Sequence, residues 1–497
     1  MNNGTFLAAI DLGSNSFRLE IGRFEHGQVQ RVDYLKETVR LGNGFDENRN
    51  LSTEAMTRGW DCLARFAERL GGFGPDQVRA VATQTLREAR NRDEFLKHGQ
   101  EILGFPIEVI AGTEEARLIY QGVTHLLPQS DERRLVIDIG GRSTELVLGH
   151  GTEPLQTASY RVGSVTWSMK YFPKGEFTEE TLYRAEIAAQ AVLDEAVANY
   201  PRQQWDAAYG ASGTVGAVAD ILALAGWTEG EISSEGLHWL VKCLLRAGNV
   251  NQVQLAGLKD ERRAVLGGGV SVLRGLMDLL KIDTLQVAQG ALRHGVLLEM
   301  VEREAHATDA RDVSVQRLAQ KFSVDTVQAS RVSAVAGRLL AQLMPSPMPD
   351  AAALQRKLGW ACALHEVGMA ISNSDYHKHG AYILENADTV GFSLPELHRL
   401  GLLVLGHRGK LKKLDADFDE PGFVMLLLAL RLAVILCHAR QDPQDSGLTL
   451  AYSPKRQRFS LTADEAWVSD HPQSAHLLRQ ESIAWQKMPW SFELVVQ

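Results

Sequence analysis

The segment Ile10-Asp11-Leu12-Gly13-Ser14-Asn15-Ser16-Phe17-Arg18-Leu19 recurs later in the chain as Ile137-Asp138-Ile139-Gly140-Gly141-Arg142-Ser143-Thr144-Glu145-Leu146. Each copy reads as an apolar strand ending in Asp, a small polar turn, and a second strand of alternating character. An internal repeat of this kind implies two related folding units, each opened by a hairpin. A turn of Gly and Ser lets backbone N–H groups come close to an anion, and the hydroxyls of Ser14, Ser16 and Ser143 add donors. The Asp that ends each first strand can hold a Mg2+ ion or its waters, because that ion takes few carboxylates alongside phosphate oxygens. A single Asp-x-Gly turn is a common cap. Two in register favour a phosphate and an ion shared between lobes.

Around the repeat the pattern alternates between helix and strand. Ser52 to Leu70 has helical periodicity, with Ser52 as N-cap and Gly71-Gly72 as the stop. Val78 to Thr83 and Ile107 to Ile110 read as strands, Thr178 to Tyr200 as one long helix, and Ala207 to Gly210 as a strand before the helix opened by Ser212-Gly213-Thr214. Strands alternating with helices imply α/β lobes whose sheets are covered by helices. From about Val313 the pattern turns helical, and a tail from Leu448 adds three short strands with Trp467, Trp485 and Trp490 nearby. A chain of 497 residues exceeds one hydrophobic core, and the expected division is 1–123, 124–304, 305–440 and 441–497.

The formal net charge of −9 argues against nonspecific nucleic-acid binding, which draws on an excess of Lys and Arg. It leaves room for a polyanionic substrate held by a local positive field. The longest apolar run, Phe423 to Leu430, is far too short for a membrane span, and the N-terminus has no signal-peptide pattern. A cytoplasmic location is expected. Cys62, Cys243, Cys362 and Cys437 are widely spaced and read as small core residues rather than as a zinc site or disulfide framework.

The two hairpins, together with Ala55-Met56-Thr57-Arg58-Gly59, Thr85-Leu86-Arg87, Gly112-Thr113-Glu114-Glu115-Ala116-Arg117, Gly210-Ala211-Ser212-Gly213-Thr214, Gly290-Ala291-Leu292-Arg293 and Leu364-His365-Glu366-Val367-Gly368, resemble the exopolyphosphatase and guanosine pentaphosphate phosphohydrolase family. The resemblance is essentially full-length. It implies two actin-like (ribonuclease H-like) lobes with the active site between them, then a helical domain similar to the HD phosphohydrolases and a small C-terminal α+β domain. On the matching positions it implies a catalytic base at Glu115 and an arginine near the terminal phosphate at Arg87. It places the ion and second phosphate loop at Asp138, Gly140, Gly141, Ser143 and Glu145. Asp11, Ser14, Asn15, Ser16 and Arg18 would face them, and Gly213 and Thr214 belong to a third loop. Mg2+, with Mn2+ as a substitute, is the implied cofactor.

Phosphoanhydride hydrolysis needs charge neutralisation on the phosphoryl oxygens, a positioned water and an acceptor for its proton. Acidic residues in a first helical turn also complement the helix dipole, so the residues alone leave Glu114 and Glu115 open, and the resemblance favours Glu115. Arg142 departs from the family, which has a small residue there; a phosphate contact is expected of it. His365-Glu366 imitates an HD doublet without the upstream His or distal Asp of a working metal set, and His365 reads as a packed core histidine. The runs His377-Lys378-His379 and His407 to Lys413 read either as a solvated face or as a positive track for a long phosphate chain.

These readings converge on an exopolyphosphatase that releases terminal orthophosphate from inorganic polyphosphate. Hydrolysis of guanosine pentaphosphate, alone or as a second activity, is the alternative. A kinase or ATP-driven clamp on the same scaffold and a non-catalytic nucleotide sensor are the competing classes. A homodimer is expected, with the tail as a candidate contact or channel closure.

Overall fold

The computed structural model describes residues 2–25, 28–128, 130–304, 309–344, 351–387, 389, 391–418, 420–443 and 447–497. They fall into two compact units, divided between Asp309 and Ala310. The expected boundary after residue 304 meets the segment 305–308, outside the described residues.

In the first unit, β1 (Phe6–Leu12), β2 (Phe17–Glu25), β3 (Gln28–Glu37), β4 (Val78–Ala82) and β5 (Ile107–Val109) form a sheet in the order β3-β2-β1-β4-β5. The second sheet holds β6 (Arg133–Ile139), β7 (Thr144–His150), β8 (Glu153–Tyr160), β9 (Ala207–Gly210), β10 (Glu231–Ser233) and β11 (Thr284–Val287), in the order β10-β11-β9-β6-β7-β8. The second order repeats the first, with β6 to β9 and β11 standing for β1 to β5 and β10 added at the edge. In both, a hairpin of antiparallel strands continues into parallel neighbours, β1 with β4 and β6 with β9. The sequence repeat is therefore a repeat of topology. β1 and β6 are buried along nearly their whole length because helices cover both faces of each sheet.

Helix α1 (Thr53–Arg69) starts where Ser52 accepts a hydrogen bond from the Ala55 amide, and it buries Ala55, Met56, Gly59, Cys62, Leu63 and Phe66 at helical spacing. It packs on α3 (Arg92–Leu103), with Trp60 stacked on Phe95, while the short α2 (Gln84–Glu88) follows β4 in the same lobe. Helix α4 (Gly112–Thr124) has a different setting. Its Ala116, Leu118, Ile119, Tyr120 and Val123 share one core with Leu7 and Ala9 of β1, Val136 of β6, Val147 of β7, and Val296 and Leu297 of the helix Leu292–Glu304. It lies between the two sheets, so nearly every residue of it is buried. The helix Leu292–Glu304 was expected with the second lobe, yet it packs on β1 and α4. The expected single helix from Thr178 to Tyr200 breaks into Glu179–Val192 and Glu195–Asn199; the bend lets Leu193, Ala196 and Tyr200 all point inward.

Five charged side chains lock α4 in place. Arg117 holds Glu114 through Nε and Nη2 at 2.8 and 2.7 Å and reaches Glu299 at 2.9 Å. Arg79 of β4 pairs with the same Glu299 and with Glu108 of β5 at 3.2 Å. The carboxylates hold Arg117 above its ordinary range against the opposing effect of burial.

The second unit is a helical body closed by β12 (Leu448–Ser453), β13 (Arg458–Ala463) and β14 (Ser491–Val496), in that order. The C-terminal segment was expected as its own domain. Instead Leu450, Phe459, Leu461, Trp485, Trp490 and Phe492 sit in the same core as Val332, Leu358, Val404 and the apolar helix Pro421–Leu436. Arg431 of that helix pairs with buried Glu481 at 2.6 Å, and Glu481 also accepts the Trp485 indole N–H at 2.6 Å. His365 is buried, with Nδ1 at 2.7 Å from the Cys362 carbonyl, as a core histidine should be. Lys378, Lys410, Lys412 and Lys413 are exposed, whereas His377 and His407 turn inward beside Tyr376. No helix among the described residues is long and apolar enough to cross a membrane.

Glu299→Leu leaves two buried guanidinium groups with less negative charge than they need. It should lower the stability of the first unit by about 3–5 kcal/mol, measured as a shift in its urea unfolding midpoint.

Candidate active site

The two hairpins present matched loops. Asp11 stands opposite Arg18 across β1 and β2, and Asp138 stands opposite Glu145 across β6 and β7. The same ladder position thus carries a cation in one lobe and an anion in the other. The loops nearly touch: a Cβ at Gly141 would come within 3.2 Å of Ser14 Cβ, so a side chain there would press the loops apart by a few tenths of an ångström. The carbonyls of the first loop are tied back by Gly42 N–H to Ser14 O and Arg40 N–H to Asn15 O, both 2.8 Å. Those of the second are held by Ser164 N–H to Gly140 O and Val165 N–H to Gly141 O, both 2.9 Å.

A cavity of about 340 Å3 opens between the lobes. Asp11, Ser14, Asn15, Ser16, Arg18, Glu115, Asp138, Gly140, Gly141, Ser143, Gly213 and Thr214 all line it. The Thr214 hydroxyl is already committed to the Ile139 carbonyl at 2.9 Å. Three of the residues singled out from the sequence do not line it. Glu145 lies behind Asp138, fully buried, and accepts a hydrogen bond from Ser159 Oγ at 2.8 Å. Arg87 lies behind Glu115. Arg142, expected on phosphate, leaves the loop for the other lobe and pairs with Glu88 at 2.9 Å. Its φ is not positive, so the side chain costs the turn no backbone strain.

Glu115 is in the first turn of α4 and points into the cavity, while its neighbour Glu114 points into the core and is consumed by Arg117. Arg87 Nη1 donates to Glu115 Oε2 at 2.7 Å and to the Ile110 carbonyl at 2.9 Å. Burial raises the Glu115 carboxyl above the ordinary glutamate range; Arg87 opposes the rise and Asp11 adds to it. The result is a proton acceptor stronger than a free glutamate.

Around it negative charge is in excess. Burial, then the Glu115 charge, pushes Asp138 well above the usual carboxylate range, with Asp11 adding and Arg18 and Arg262 opposing. Glu145 is raised in the same way by burial, Glu115 and Asp138. Such a group of carboxylates calls for a cation. Among the described residues no three His, Cys, Asp or Glu side chains converge tightly enough to hold a metal by themselves. The donor set fits Mg2+, which takes one or two carboxylates and completes its shell with water and substrate phosphate.

Positive charge gathers farther along the cavity, on residues that sequence reasoning missed. Lys36, Lys259, Arg262 and Arg293 line it, with Tyr34 and Gln289. Lys36 pairs with Glu261 at 2.6 Å, Lys259 approaches Asp220 at 3.4 Å, and Arg293 pairs with Glu20. Arg262 has no ion pair with any described residue. Its guanidinium lies against Gly213, where a Cβ would meet Nη2 at 1.9 Å, and burial and Arg18 lower its affinity for its own proton. The only signal for it in the sequence is the charged run Lys259 to Arg263, which resembles any solvated helix start.

Comparison with known proteins bears on this geometry. Residues 21–304 match the Ppx/GppA phosphatase family, and residues 310–482 match Ppx/GppA phosphatase, domain III. The guanosine-5'-triphosphate,3'-diphosphate pyrophosphatase of Vibrio cholerae is 36% identical over 485 residues, 96% of this chain and 97% of that protein. The protein of that name from Vibrio atlanticus is 37% identical over 492 residues, 98% and 97% of the two chains. Among solved structures, an exopolyphosphatase-like protein aligns with TM-score 0.55 and 27% identity over 61% of this chain and all of its own. The Ppx/GppA family member of Aquifex aeolicus aligns with TM-score 0.52 and 25% identity over 61% of this chain and 99% of its own. With both family segments matched and full-length relatives above one-third identity, the chain belongs to the Ppx/GppA phosphatase family.

Proposed function

We propose that this protein hydrolyses the terminal phosphoanhydride of guanosine 5'-triphosphate 3'-diphosphate, releasing orthophosphate. The observation that carries the reading is the pair of unsatisfied charges in one cavity: surplus carboxylate at Asp138 beside Glu115, and surplus guanidinium at Arg262 beside Arg18. A metal-bound polyphosphate supplies the missing partner to each. The names of the relatives matched over nearly the whole chain favour the guanosine substrate, which reverses the order given by the sequence alone. The cavity wall continues beyond the loops to Tyr34 and Gln289, an aromatic ring and an amide that a nucleobase can use.

In this reading, loop amides and the hydroxyls of Ser14, Ser16 and Ser143 bind the terminal phosphoryl group. Glu115 orients a water and takes its proton as the oxygen attacks phosphorus. The bond to the bridging oxygen breaks, leaving the nucleoside with one phosphate fewer. Arg87 keeps the carboxylate aimed, and Arg18 and Arg262 receive the charge that grows on the leaving diphosphate. Asp138 and Asp11 would hold Mg2+, with Glu145 and Ser159 orienting its water shell; the ion would supply charge neutralisation on the phosphoryl oxygens. Inorganic polyphosphate is the second reading, because Glu115 and the loops meet only the terminal phosphoanhydride that both substrates share.

Phosphate release should be faster from guanosine pentaphosphate than from long-chain polyphosphate and should stop when divalent ions are chelated. Glu115→Gln should lower kcat by about 10²–10⁴-fold on either substrate with little change in KM. Faster release from polyphosphate would restore the second reading, and a phosphorylated acceptor in place of free phosphate would make the protein a kinase.

The raised Glu115 sets the sign of the pH dependence. As pH falls through its elevated value the carboxyl protonates and cannot accept a proton, so kcat/KM should fall on the acid side at a pH above the ordinary glutamate range. A pH–rate profile of wild type and Glu115→Gln checks this, the limb being absent from the variant.

A further inference from the structure

Arg142 does not contact the cavity, yet it is tied to Glu115 by an unbroken run of hydrogen bonds. Its Nη2 and Nε donate to Glu88 Oε2 at 2.9 and 3.3 Å. The other oxygen of Glu88 accepts from Gln84 Nε2 at 2.7 Å. Gln84 Oε1 in turn accepts from Arg87 Nη2 and Nε at 2.6 and 3.0 Å, and Arg87 Nη1 donates to Glu115. The amide of Gln84 uses its two ends in opposite senses, so it has one orientation and no alternative flip. Gln84, Arg87 and Glu88 fall at i, i+3 and i+4 of the short α2, on one face.

The far end of the run is anchored twice more. Arg142 Nη1 donates to the Gly42 carbonyl at 2.9 Å, and the guanidinium stacks over Phe45 with 4.6 Å to the ring centroid. Arg142 belongs to the second lobe, whereas Gly42, Phe45, Glu88, Gln84 and Arg87 belong to the first. The connection therefore exists only while the loop carrying Ser143 is seated against α2. Arg142, Glu88, Arg87 and Glu115 are all largely shielded from water, which strengthens each bond and penalises each vacancy.

We propose that Arg142, Glu88 and Gln84 are positioning residues that make the alignment of Glu115 conditional on closure of the two lobes. When the loops separate, Glu88 loses its guanidinium partner and can turn, Gln84 Nε2 no longer meets a fixed acceptor, and the two bonds from Arg87 to Gln84 Oε1 lose the support that orients them. The carboxylate then swings from the water it must activate. This role rests on the reading of Glu115 as the base. It predicts a signature on turnover, since a misplacement of about 1 Å can cost about a hundredfold in rate, with binding by the loops unaffected.

Arg142→Ala and Gln84→Leu tested on guanosine pentaphosphate with Mg2+ should each lower kcat by about ten- to a hundredfold while KM stays within about threefold. The double variant should be no slower than the slower single, because the two residues do not touch and act through the same path. Arg142→Lys, which keeps the charge but not the fork, should recover part of the loss, and Arg133→Ala, at an exposed pair with Asp206, should leave kcat unchanged. Effects that multiply in the double variant, that fall on KM alone, or that are absent overturn the relay while an active wild type leaves the proposed function standing. A wild type that releases no phosphate from either substrate overturns the proposed function and this role with it.

Discussion

Helix α4 is the member on which both lobes close. It is wedged between the two sheets, and its burial on nearly all sides leaves it no freedom to slide or turn. Because the wedge ends at the cavity, the first turn of α4 sends Glu114 to the core and the adjacent Glu115 to the cavity. The network of Arg79, Arg117, Glu108, Glu114 and Glu299 fixes that phase. A rotation of α4 would pull Arg117 from Glu299, which Arg79 of β4 holds on the neighbouring helix, so Glu115 faces the cavity as a consequence of packing far from it.

Charge in the cavity is arranged with a deliberate shortfall. Some of its ion pairs are closed within the wall, as at Lys36 and Glu261 or Arg18 and Asp11. Asp138 and Arg262 line the same cavity without such closure to any described residue. An enclosed region with unsatisfied charge of each sign prefers a ligand that is itself an ion pair. A metal polyphosphate has this character, and a neutral metabolite does not.

The hairpins and most loop residues of the site were legible because they depend on local pattern: period two in the strands, glycine and serine in the turns, and a repeat that doubled the signal. Reading failed where a side chain or element is placed by partners distant in sequence. Glu114 and Glu115 are equivalent in any local window, and only Glu299 and Arg117 tell them apart. Arg142 was read by its loop, but the length of its side chain carries it past the cavity to Glu88. Arg262 sits in a charged run with no periodic signature. The C-terminal strands looked like a domain of their own because strand pattern says nothing about whose core they complete; Trp485 and Phe459 complete that of the helices.

The return of Leu292–Glu304 to β1 and α4 has a consequence for how this unit can be built. The chain starts in one lobe, crosses to the other, and comes back to roof the first, so the lobes are interleaved rather than strung in series. Neither can be excised at a loop and keep its shell, since a fragment stopping before Leu292 would leave Leu7, Ile119 and Val123 facing water. Synthesis from the ribosome must therefore expose the floor of the first lobe until nearly the whole unit has emerged, and the two hairpin loops can acquire their final spacing only as the last helix docks.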